Sequence, residues 1–431
     1  MIDINNQPAK PLNPILAGIY GAIVALGCAY ALSYVFAHFG LGVLRASEAG
    51  QATLASHNSE VFGRAALNLY AAQHVTLFGR GDIASSVGDA FPVRLFASLT
   101  LPITVWTIIP VFALLLAGYV TALSRRNTGR WGMLLPAMSA GLLYALTLAA
   151  LSGVARAKIG SFVMPEIGGF SANPPPLTFR PEGTSVLAFV CGFGLLFTYL
   201  GGLIAVRSNE RGSEPGKWWA SAKAAVLAAL VVQVLMLATV GVWLALGSRR
   251  ADDRVEGERV VEMIPSTVGV AYLMANGATL QADLESRVRS EQPTRKTFGA
   301  RISLYKGIVK EERGKISKKP VPLQATIPVA VLTALGFVLA GWLAVRWGAR
   351  GGSLPTAGRI AIIHTPYLIV LAVLCSMKLV QSDPLTVTTI TVRPMVDLLW
   401  IFYSFAAVFV LSMVGAHLAN RRVVSFRAHS R

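Results

Sequence analysis

The run Leu116-Ala117-Gly118-Tyr119-Val120-Thr121-Ala122 closes an apolar stretch that begins at Phe96 and is followed by Arg125 and Arg126. Nearly the same ending occurs again as Leu339-Ala340-Gly341-Trp342-Leu343-Ala344-Val345-Arg346. Looser versions lie at 201–207 and 415–421, where a small residue near the end of an apolar run is followed by arginine. Because Lys and Arg concentrate at the cytoplasmic ends of membrane helices, these endings predict which end of each helix faces the cytoplasm.

Composition indicates a membrane protein. Of the 431 residues, 54% are hydrophobic and 14% are charged, and the mean hydropathy is +0.57. About a quarter of the residues of a soluble globular protein are charged. The formal net charge is +18, but the basic residues gather beside the apolar runs and in one long polar segment, which the positive-inside bias explains in large part. We therefore expect association with the lipid bilayer and no binding of nucleic acid.

Eight apolar runs are long enough to cross a bilayer as helices. They are Pro14–Phe39, Phe96–Leu123, Trp131–Ala155, Thr184–Val206, Ala220–Leu246, Gln324–Val345, Ile360–Val380 and Met395–Ala419. Basic connections lie between alternate helices, which predicts that both termini are cytoplasmic. The predicted fold class is an all-α integral protein of the cell (cytoplasmic) membrane, with about eight transmembrane helices and small extracytoplasmic α-helical and β insertions.

The chain has two halves with a similar layout. A cytoplasmic tail (1–13) precedes a first four-helix half (14–212) with an outer loop at 40–95, and a second half (213–420) with a polar insert at 248–323 precedes a basic tail (421–431). Since each half has an even number of spans, a duplication would give a parallel four-plus-four repeat. The alternative is that such helix endings are common at any cytoplasmic interface.

The outer segments carry weaker secondary-structure patterns. Helices are predicted at 61–70, 252–263 and 268–288, strands at 301–309 and 386–393, and a solvated tether at the basic run 310–319. The two long segments, 40–95 and 248–323, are candidate sites for a protein partner.

A few polar residues interrupt the predicted membrane helices. Pro102 and Pro110 flank two threonines, a pattern typical of a kinked helix in which hydroxyl groups satisfy the freed carbonyls. An interrupted helix can mark a substrate site, and an ordinary kinked helix is the alternative. The candidate pathway-lining or interhelical polar residues are Thr104, Thr107, Tyr144, Gln233 and His364.

One pair of charges lies close to the predicted outer interface. Lys378 is near the outer end of the seventh predicted helix, and Asp397 is near the outer start of the eighth. Either the lysine extends its ammonium group to the interface, or the two side chains form an interfacial ion pair. Ionisable residues in membrane spans are functional candidates.

The sequence predicts no enzyme, no metal site and no cofactor. The three cysteines lie in apolar runs without metal-ligand spacing and are expected to pack as small apolar residues; they are Cys28, Cys191 and Cys375. His38, His57 and His74 lack HxH or HxxxH spacing. Walker A, HExxH, GxSxG and GxGxxG sequences in a suitable context are absent. No predicted span carries the paired carboxylates that proton-coupled transporters often use.

One family resemblance covers most of the chain at the level of layout. The run Ala71-Ala72-Gln73-His74-Val75-Thr76-Leu77, placed before a helix that ends Leu-Ala-Gly-Tyr, resembles multi-pass bacterial membrane proteins called streptophobe-like. The turn Leu200-Gly201-Gly202-Leu203 after a glycine-rich helix is similar too. The resemblance implies a multi-pass membrane fold and no particular activity.

Two functional hypotheses follow from the sequence. The first is a transport or permease-like component for a solute or lipid, which the kinked second helix and the two similar halves favour. The second is a non-transporting envelope protein whose outer segments recruit a partner or a surface polymer. A polar cavity in the middle of the membrane would favour the first hypothesis, and a closely packed bundle beneath an ordered outer cap would favour the second.

Overall fold

In a computed structural model, the structure describes residues 12–38, 58–83, 93–125, 128, 130–159, 177–209, 217–247, 257–288, 295–312, 315–321, 323–349, 352–382, 386–395 and 398–429. The chain divides into two compact units. The first unit is Met1–Gly212 with Val380–Leu385, and the second is Ser213–Leu379 with Thr386–Arg431. Each unit combines four long apolar helices with antiparallel strands.

The first unit starts and ends with a long apolar helix. Its helices are α1 (Pro14–His38), α2 (Asn58–Ala71), α3 (Ile108–Leu123, after a 3-10 turn at Val105–Thr107), α4 (Arg130–Leu151) and α5 (Cys191–Asn209, after helical turns at Gly183–Ser185 and Val186–Val190). Its strands are β1 (Leu77–Ile83), β2 (Val93–Thr100), β3 (Ala157–Ile159) and β4 (Leu177–Pro181). They pair antiparallel in the order β3-β4-β1-β2.

The second unit has the same order of elements with one addition. Its helices are α6 (Lys217–Gly247), α7 (Gly257–Ala275), α8 (Leu323–Arg346), α9 (Ser353–Leu374) and α10 (Leu398–His429). Its strands are β5 (Thr279–Val288), β6 (Arg295–Ser303), β7 (Gly307–Glu312), β8 (Lys315–Lys319) and β10 (Thr386–Met395), while β9 (Met377–Ser382) spans residues of both units. The antiparallel order is β10-β5-β6-β7-β8, in which the hairpin β7–β8 is the addition.

Eight helices in the described part of the chain are long and apolar enough to cross a membrane. They are Pro14–His38, Val105–Leu123, Trp131–Leu151, Gly183–Val206, Lys217–Met236, Thr326–Arg346, Ser353–Leu374 and Leu399–Arg421. Large apolar side chains such as Ile15, Leu135 and Ile362 are exposed on them, as expected for helices that face lipid. The prediction of eight transmembrane helices is confirmed, and the chain is a polytopic membrane protein. The strands are more extensive than the small β insertions that were predicted.

In the first unit, α3 and α5 pack backbone against backbone. A Cβ atom on Gly118 would lie 2.0 Å from the carbonyl oxygen of Thr198, and one on Gly201 would lie 2.1 Å from that of Leu115. Both positions therefore require glycine. Such small-residue crossings replace the hydrophobic effect as the packing force between helices in lipid.

The same crossing occurs between α8 and α10 of the second unit. A Cβ atom on Gly341 would lie 1.9 Å from the carbonyl oxygen of Ser412, and one on Gly415 would lie 1.9 Å from that of Val338. In both units, each glycine faces the residue three positions before the other glycine. The two helix pairs thus have one register as well as one type of contact.

The helices that open the two units bury the same positions. Buried residues of α1 include Ala17, Gly21, Ala25 and Ala29, and 203 positions later α6 buries Ala220, Ala224, Ala228 and Val232. Small residues at four-residue spacing form a stripe along which neighbouring helices approach closely.

The helices α2 and α7, which precede the first strands of their units, also end in one type of turn. Each helix is followed by a residue with a positive φ. This residue is His74 (63°) after α2 and Gly277 (94°) after α7. The preceding side-chain amide, of Gln73 or Asn276, donates a hydrogen bond to the carbonyl oxygen four residues earlier, at 3.0 and 2.8 Å. Glycine is the usual residue for this left-handed helix end, and the first unit accepts histidine there.

The second membrane helix begins later than predicted. Residues 96–100 lie in β2, and α3 begins at Ile108. Pro110 is the third residue of α3, in the first turn, where a backbone N–H has no partner within the helix and its loss costs little. The prediction of a doubly kinked membrane helix is therefore wrong.

Other expected boundaries shift in the polar segments. The predicted helix 268–288 ends at Ala275 because residues 279–288 form β5. The predicted tether 310–319 belongs to β7 and β8, since backbone pairing holds a segment that has few apolar side chains. The predicted strand 301–309 is broken by a turn at 304–306. Predicted strand 386–393 and helix 61–70 are confirmed, and residues 252–256 of a third predicted helix lie outside the described residues.

Candidate functional site

The two predicted pathway threonines lie at the start of a membrane helix. Thr104 precedes the 3-10 turn and Thr107 ends it, and the backbone N–H of Thr104 donates to the hydroxyl of Thr107 at 3.2 Å. The hydroxyl of Thr104 is buried without a hydrogen-bond partner. These residues therefore shape the entry of the chain into α3 and do not interrupt the helix at its middle.

Tyr144 is fully buried on α4. Its hydroxyl lies near Gln73, which follows α2, but neither this hydroxyl nor the Oε1 atom of Gln73 forms a hydrogen bond of normal geometry. Tyr144 therefore lies at the junction of α4 with the end of α2, and its role as an interhelical polar residue stays a prediction.

Tyr367 takes the place of Tyr144 in the second unit. The two tyrosines lie 223 positions apart, as do Gly118 and Gly341. The hydroxyl of Tyr367 accepts a hydrogen bond from Nε2 of Gln233 on α6. Gln233 is thus an interhelical polar residue that connects α6 to α9.

His364 lies one turn before Tyr367 and is 3% exposed. Its Nε2 atom is 3.1 Å from the hydroxyl of Tyr272 on α7. Burial raises the pKa of Tyr272 well above its usual value, so this phenol stays protonated and can donate to a neutral imidazole. Gln233, Tyr272, His364 and Tyr367 connect three helices of the second unit and are called the buried polar cluster below. Tyr272 and His364 are buried, and the other two side chains are half-buried.

The buried polar cluster borders a narrow crevice. Its volume is about 80 Å³, and its lining is mostly apolar: Ala225, Val226, Ala229, Leu230, Ile363, His364 and Tyr367. Pockets for small-molecule ligands usually enclose about 300–1,000 Å³. The crevice has room for a few water molecules, and the polar side chains beside it are bonded mainly to one another.

Of the two predicted interfacial charges, the structure describes only Lys378. Lys378 lies in β9, beyond the end of α9 at Leu374, and so is not part of a membrane helix. Asp397 lies outside the described residues, and with it the predicted ion pair. The predicted seventh helix extends to Val380, but its last residues belong to β9.

The sheet of the second unit carries a row of cations that the sequence did not predict. Arg393 on β10 lies opposite Gln281 on β5, which lies opposite Arg301 on β6. Arg301 lies opposite Val309 on β7, which lies opposite Lys318 on β8. Residues directly opposite in antiparallel strands project from the same face of the sheet. Arg393, Arg301 and Lys318 therefore form a cation row on one face.

All three members of the cation row are exposed. Neighbouring strands are about 4.8 Å apart, so cations on every second strand lie about 10 Å from each other along the row. The next positions outward on this face hold two carboxylates, Asp283 and Glu311, and Asp283 accepts a hydrogen bond from Gln281. The positions on the side toward the membrane helices, Thr279 and Ser303, are uncharged.

One member of the cation row belongs to a short sequence motif that occurs in both units. Thr391-Val392-Arg393-Pro394 matches Thr178-Phe179-Arg180-Pro181 of the first unit. Pro394 lies opposite Leu280 on β5, and Pro181 lies opposite Leu77 on β1. The first unit has only the arginine of this row, because the position that corresponds to Arg301 is Ser98 and no counterpart of β8 is present among its described strands.

Within the described residues, no group of three or more His, Cys, Asp or Glu side chains is arranged to hold a metal ion. Comparisons with protein-family models, curated proteins and solved structures find no match to this chain. The resemblance to streptophobe-like proteins therefore stays a prediction, and function has to be inferred from geometry.

Proposed function

We propose that the chain is a non-transporting protein of a bacterial cell membrane that binds an anionic surface polymer outside the membrane. The binding element is the cap of the second unit, defined as α7, β5–β8 and β10. The observation that carries the proposal is the cation row on one face of this cap. In this proposal the membrane helices anchor the cap, and no catalytic step is involved.

The distribution of charge supports an outward cap. Arg125 follows α3, Arg346 ends α8, and Arg421 ends the last apolar span, all at the ends of the helices opposite to the strands. The positive-inside bias places these ends in the cytoplasm, together with both termini. The cap then lies outside, and its own basic residues do not oppose this orientation because long connections are translocated largely regardless of charge.

The direction of the cation row favours a polymer as the ligand. β8 ends four residues before α8 begins, and β10 ends three residues before α10 begins. The strands therefore end at the membrane, and a row that crosses them runs alongside its surface. Cations repeated about every 10 Å suit a chain with repeated anionic groups, whereas a single small anion is held by donors that converge on it.

The packing of the helices supports an anchoring role. Glycine crossings hold α3 against α5 and α8 against α10 at backbone contact. The polar residues predicted to line a pathway are at a helix start, buried against α2, or bonded to each other. The crevice beside the buried polar cluster is too small for a solute.

We further propose that the two units are copies of one ancestral unit, related as a parallel repeat. Element order, the glycine crossings, the helix-end turns and the Thr-x-Arg-Pro motif all support this. The spacing of equivalent residues is 203 positions up to His74 and Gly277 and 223 positions at Gly118 and Gly341. The change falls at the hairpin β7–β8, which the second unit has gained and which supplies Lys318 to the cation row.

Binding of a defined polyanion tests the proposed function. The full-length protein is placed in nanodiscs of phosphatidylcholine and titrated with fluorescent polyphosphate. The row variant combines Arg301→Gln, Lys318→Gln and Arg393→Gln. The opposite-face variant combines Lys310→Gln, Lys315→Gln and Lys319→Gln, which removes the same charge from exposed positions on the other face of the same hairpin and edge strand.

We expect the row variant to bind about a hundredfold more weakly, since each cation near an anionic surface contributes about 1 kcal/mol. The opposite-face variant should lose much less affinity. Equal losses in the two variants, or no binding by the unmodified protein, would contradict the proposal.

A transport component for a solute or lipid is the second candidate. The matching units favour it, because many transporters are built from repeats. Osmotic swelling of proteoliposomes in a panel of sugars, amino acids and organic anions distinguishes the two candidates. Swelling that depends on the protein and is unchanged in the row variant would support transport. Absence of swelling together with binding of polyphosphate would support polymer binding by the cap.

A further inference from the structure

The first unit contains a groove that the proposed function does not use. It has a volume of about 460 Å³ and lies between α1, α2 and the end of α4. This volume is typical of a ligand site. Its apolar lining includes Tyr30, Phe62, Ala66, Leu148, Leu151 and Val154.

The walls of the groove are fixed by hydrogen bonds from hydroxyl groups to backbone carbonyls. The hydroxyl of Ser33 on α1 donates to Ala65 on α2 at 2.7 Å. The hydroxyl of Tyr70 on α2 donates to Leu148 on α4, also at 2.7 Å. Because α2 is bonded to both neighbouring helices, the groove is a built feature and not a gap left by loose packing.

The groove extends across the boundary between hydrocarbon and headgroups. Leu148 and Leu151 belong to the last turn of the span that ends at Leu151, whereas Val154 and Arg156 follow it. Leu151 is 47% exposed and Val154 is 74% exposed. In a bilayer, apolar surface at this depth is covered by acyl chains.

A cation lies at the headgroup end of the groove. Arg156 is exposed there, and none of the described residues that line the groove is acidic. The backbone of Arg156 is held in place, because a Cβ atom on Gly63 of α2 would lie only 2.1 Å from its carbonyl oxygen. A guanidinium group in this position matches a phosphate in charge and hydrogen-bond geometry.

The second unit closes the corresponding space. The positions that match Ala66 and Leu148 hold Gly269 and Leu371. These two elements approach closely, because a Cβ atom on Gly269 would lie 3.3 Å from the Leu371 side chain and 2.6 Å from the Sγ atom of Cys375. The groove is therefore a property of the first unit and not of the repeated architecture.

We infer that the groove between α1, α2 and the end of α4 binds one acyl chain of an anionic phospholipid, whose phosphate contacts Arg156. The apolar lining receives the chain and the exposed arginine selects the charge of the headgroup. This site is separate from the cap, so either inference can fail while the other holds.

Native mass spectrometry of the full-length protein tests the site. The protein is released from nanodiscs that contain equal amounts of phosphatidylglycerol and phosphatidylcholine, and the retained lipids are counted. Ala66→Trp fills the groove, Arg156→Gln removes the proposed phosphate contact, and Arg80→Gln removes an exposed arginine of the same unit on β1 as a control.

We expect the unmodified protein and Arg80→Gln to retain one phosphatidylglycerol molecule. Arg156→Gln should lower its retention relative to phosphatidylcholine about fivefold, and Ala66→Trp should abolish retention of both lipids. If Arg156→Gln retains as much phosphatidylglycerol relative to phosphatidylcholine as the unmodified protein does, the proposed role of the arginine is wrong. Undiminished retention in Ala66→Trp, in protein that remains monodisperse, would overturn the site.

Discussion

Gly118 on α3 and Gly201 on α5 meet at a crossing where neither position has room for a Cβ atom: each hypothetical Cβ would lie within 2.1 Å of a carbonyl oxygen on the other helix. The second unit repeats this contact with Gly341 and Gly415. Backbone contact of this kind fixes the distance between two helices more tightly than side-chain packing does.

Alanine at one of these glycines should destabilise the protein. We expect Gly201→Ala to cost about 1–3 kcal/mol through overpacking. Gly192→Ala on the same helix is the control, because a Cβ atom there meets nothing within 4 Å and alanine favours helix by up to about 1 kcal/mol. Thermal unfolding in detergent measures both, and equal melting temperatures for the two variants would contradict the close crossing.

The two equivalent tyrosines should respond differently to loss of their hydroxyl groups. Tyr367→Phe removes a hydrogen bond to Gln233, whereas Tyr144→Phe removes a hydroxyl that forms no hydrogen bond of normal geometry. Hydrogen bonds between membrane helices contribute about 0.6 kcal/mol on average. We expect Tyr367→Phe to lower the free energy of unfolding by about this amount and Tyr144→Phe to leave it unchanged or raise it. A larger loss for Tyr144→Phe would show that its hydroxyl is bonded.

Stability should depend on the protonation of His74, which lies outside the membrane spans. Burial lowers its pKa below 6.5, although a hydrogen bond to the carbonyl oxygen of Leu101, at 2.6 Å, acts in the opposite direction. The unfolded state therefore binds a proton more readily, and stability falls as the pH decreases through about 6.5. His74→Asn keeps a residue that tolerates the positive φ and removes the titration.

Thermal unfolding at pH 7.5 and pH 5.5 checks this prediction. The unmodified protein should lose more stability between these pH values than His74→Asn does. Parallel losses in the two proteins would show that His74 does not carry the dependence.

Cysteine labelling in intact cells checks the orientation of the cap. In a variant without the three native cysteines, Ile316→Cys on the exposed strand β8 should react with a membrane-impermeant maleimide before lysis. Arg421→Cys, at the end of the last apolar span, should react only after lysis. The reverse pattern would place the cap in the cytoplasm and remove the basis for binding a surface polymer.

Much of the membrane architecture could be predicted from the sequence, because an apolar run of about 20 residues has few alternatives to a transmembrane helix. The start of the second helix could not be predicted in this way. Residues 96–99 are apolar enough to extend the run, yet they pair with β1. Periodicity does not separate a short apolar strand from the beginning of a helix.

The cation row was missed because its members lie far apart in sequence. Arg301, Lys318 and Arg393 come together only through the register of five strands. The repeated Thr-x-Arg-Pro motif was a usable signal, but its spacing of 213 positions differs from the 223 positions between the glycine endings. Strand β8 was not predicted either, because a five-residue segment with three lysines and one isoleucine has too little apolar surface to indicate a strand.

The salt dependence of polyphosphate affinity tests most directly whether one face of the cap, and not the bundle, is the binding element. Each cation that contacts a phosphate of a polyanion adds roughly one unit to the slope of log affinity against log salt. We predict that the row variant has a slope roughly three units shallower than the unmodified protein, while the opposite-face variant keeps the original slope. Identical slopes for all three proteins would contradict the account.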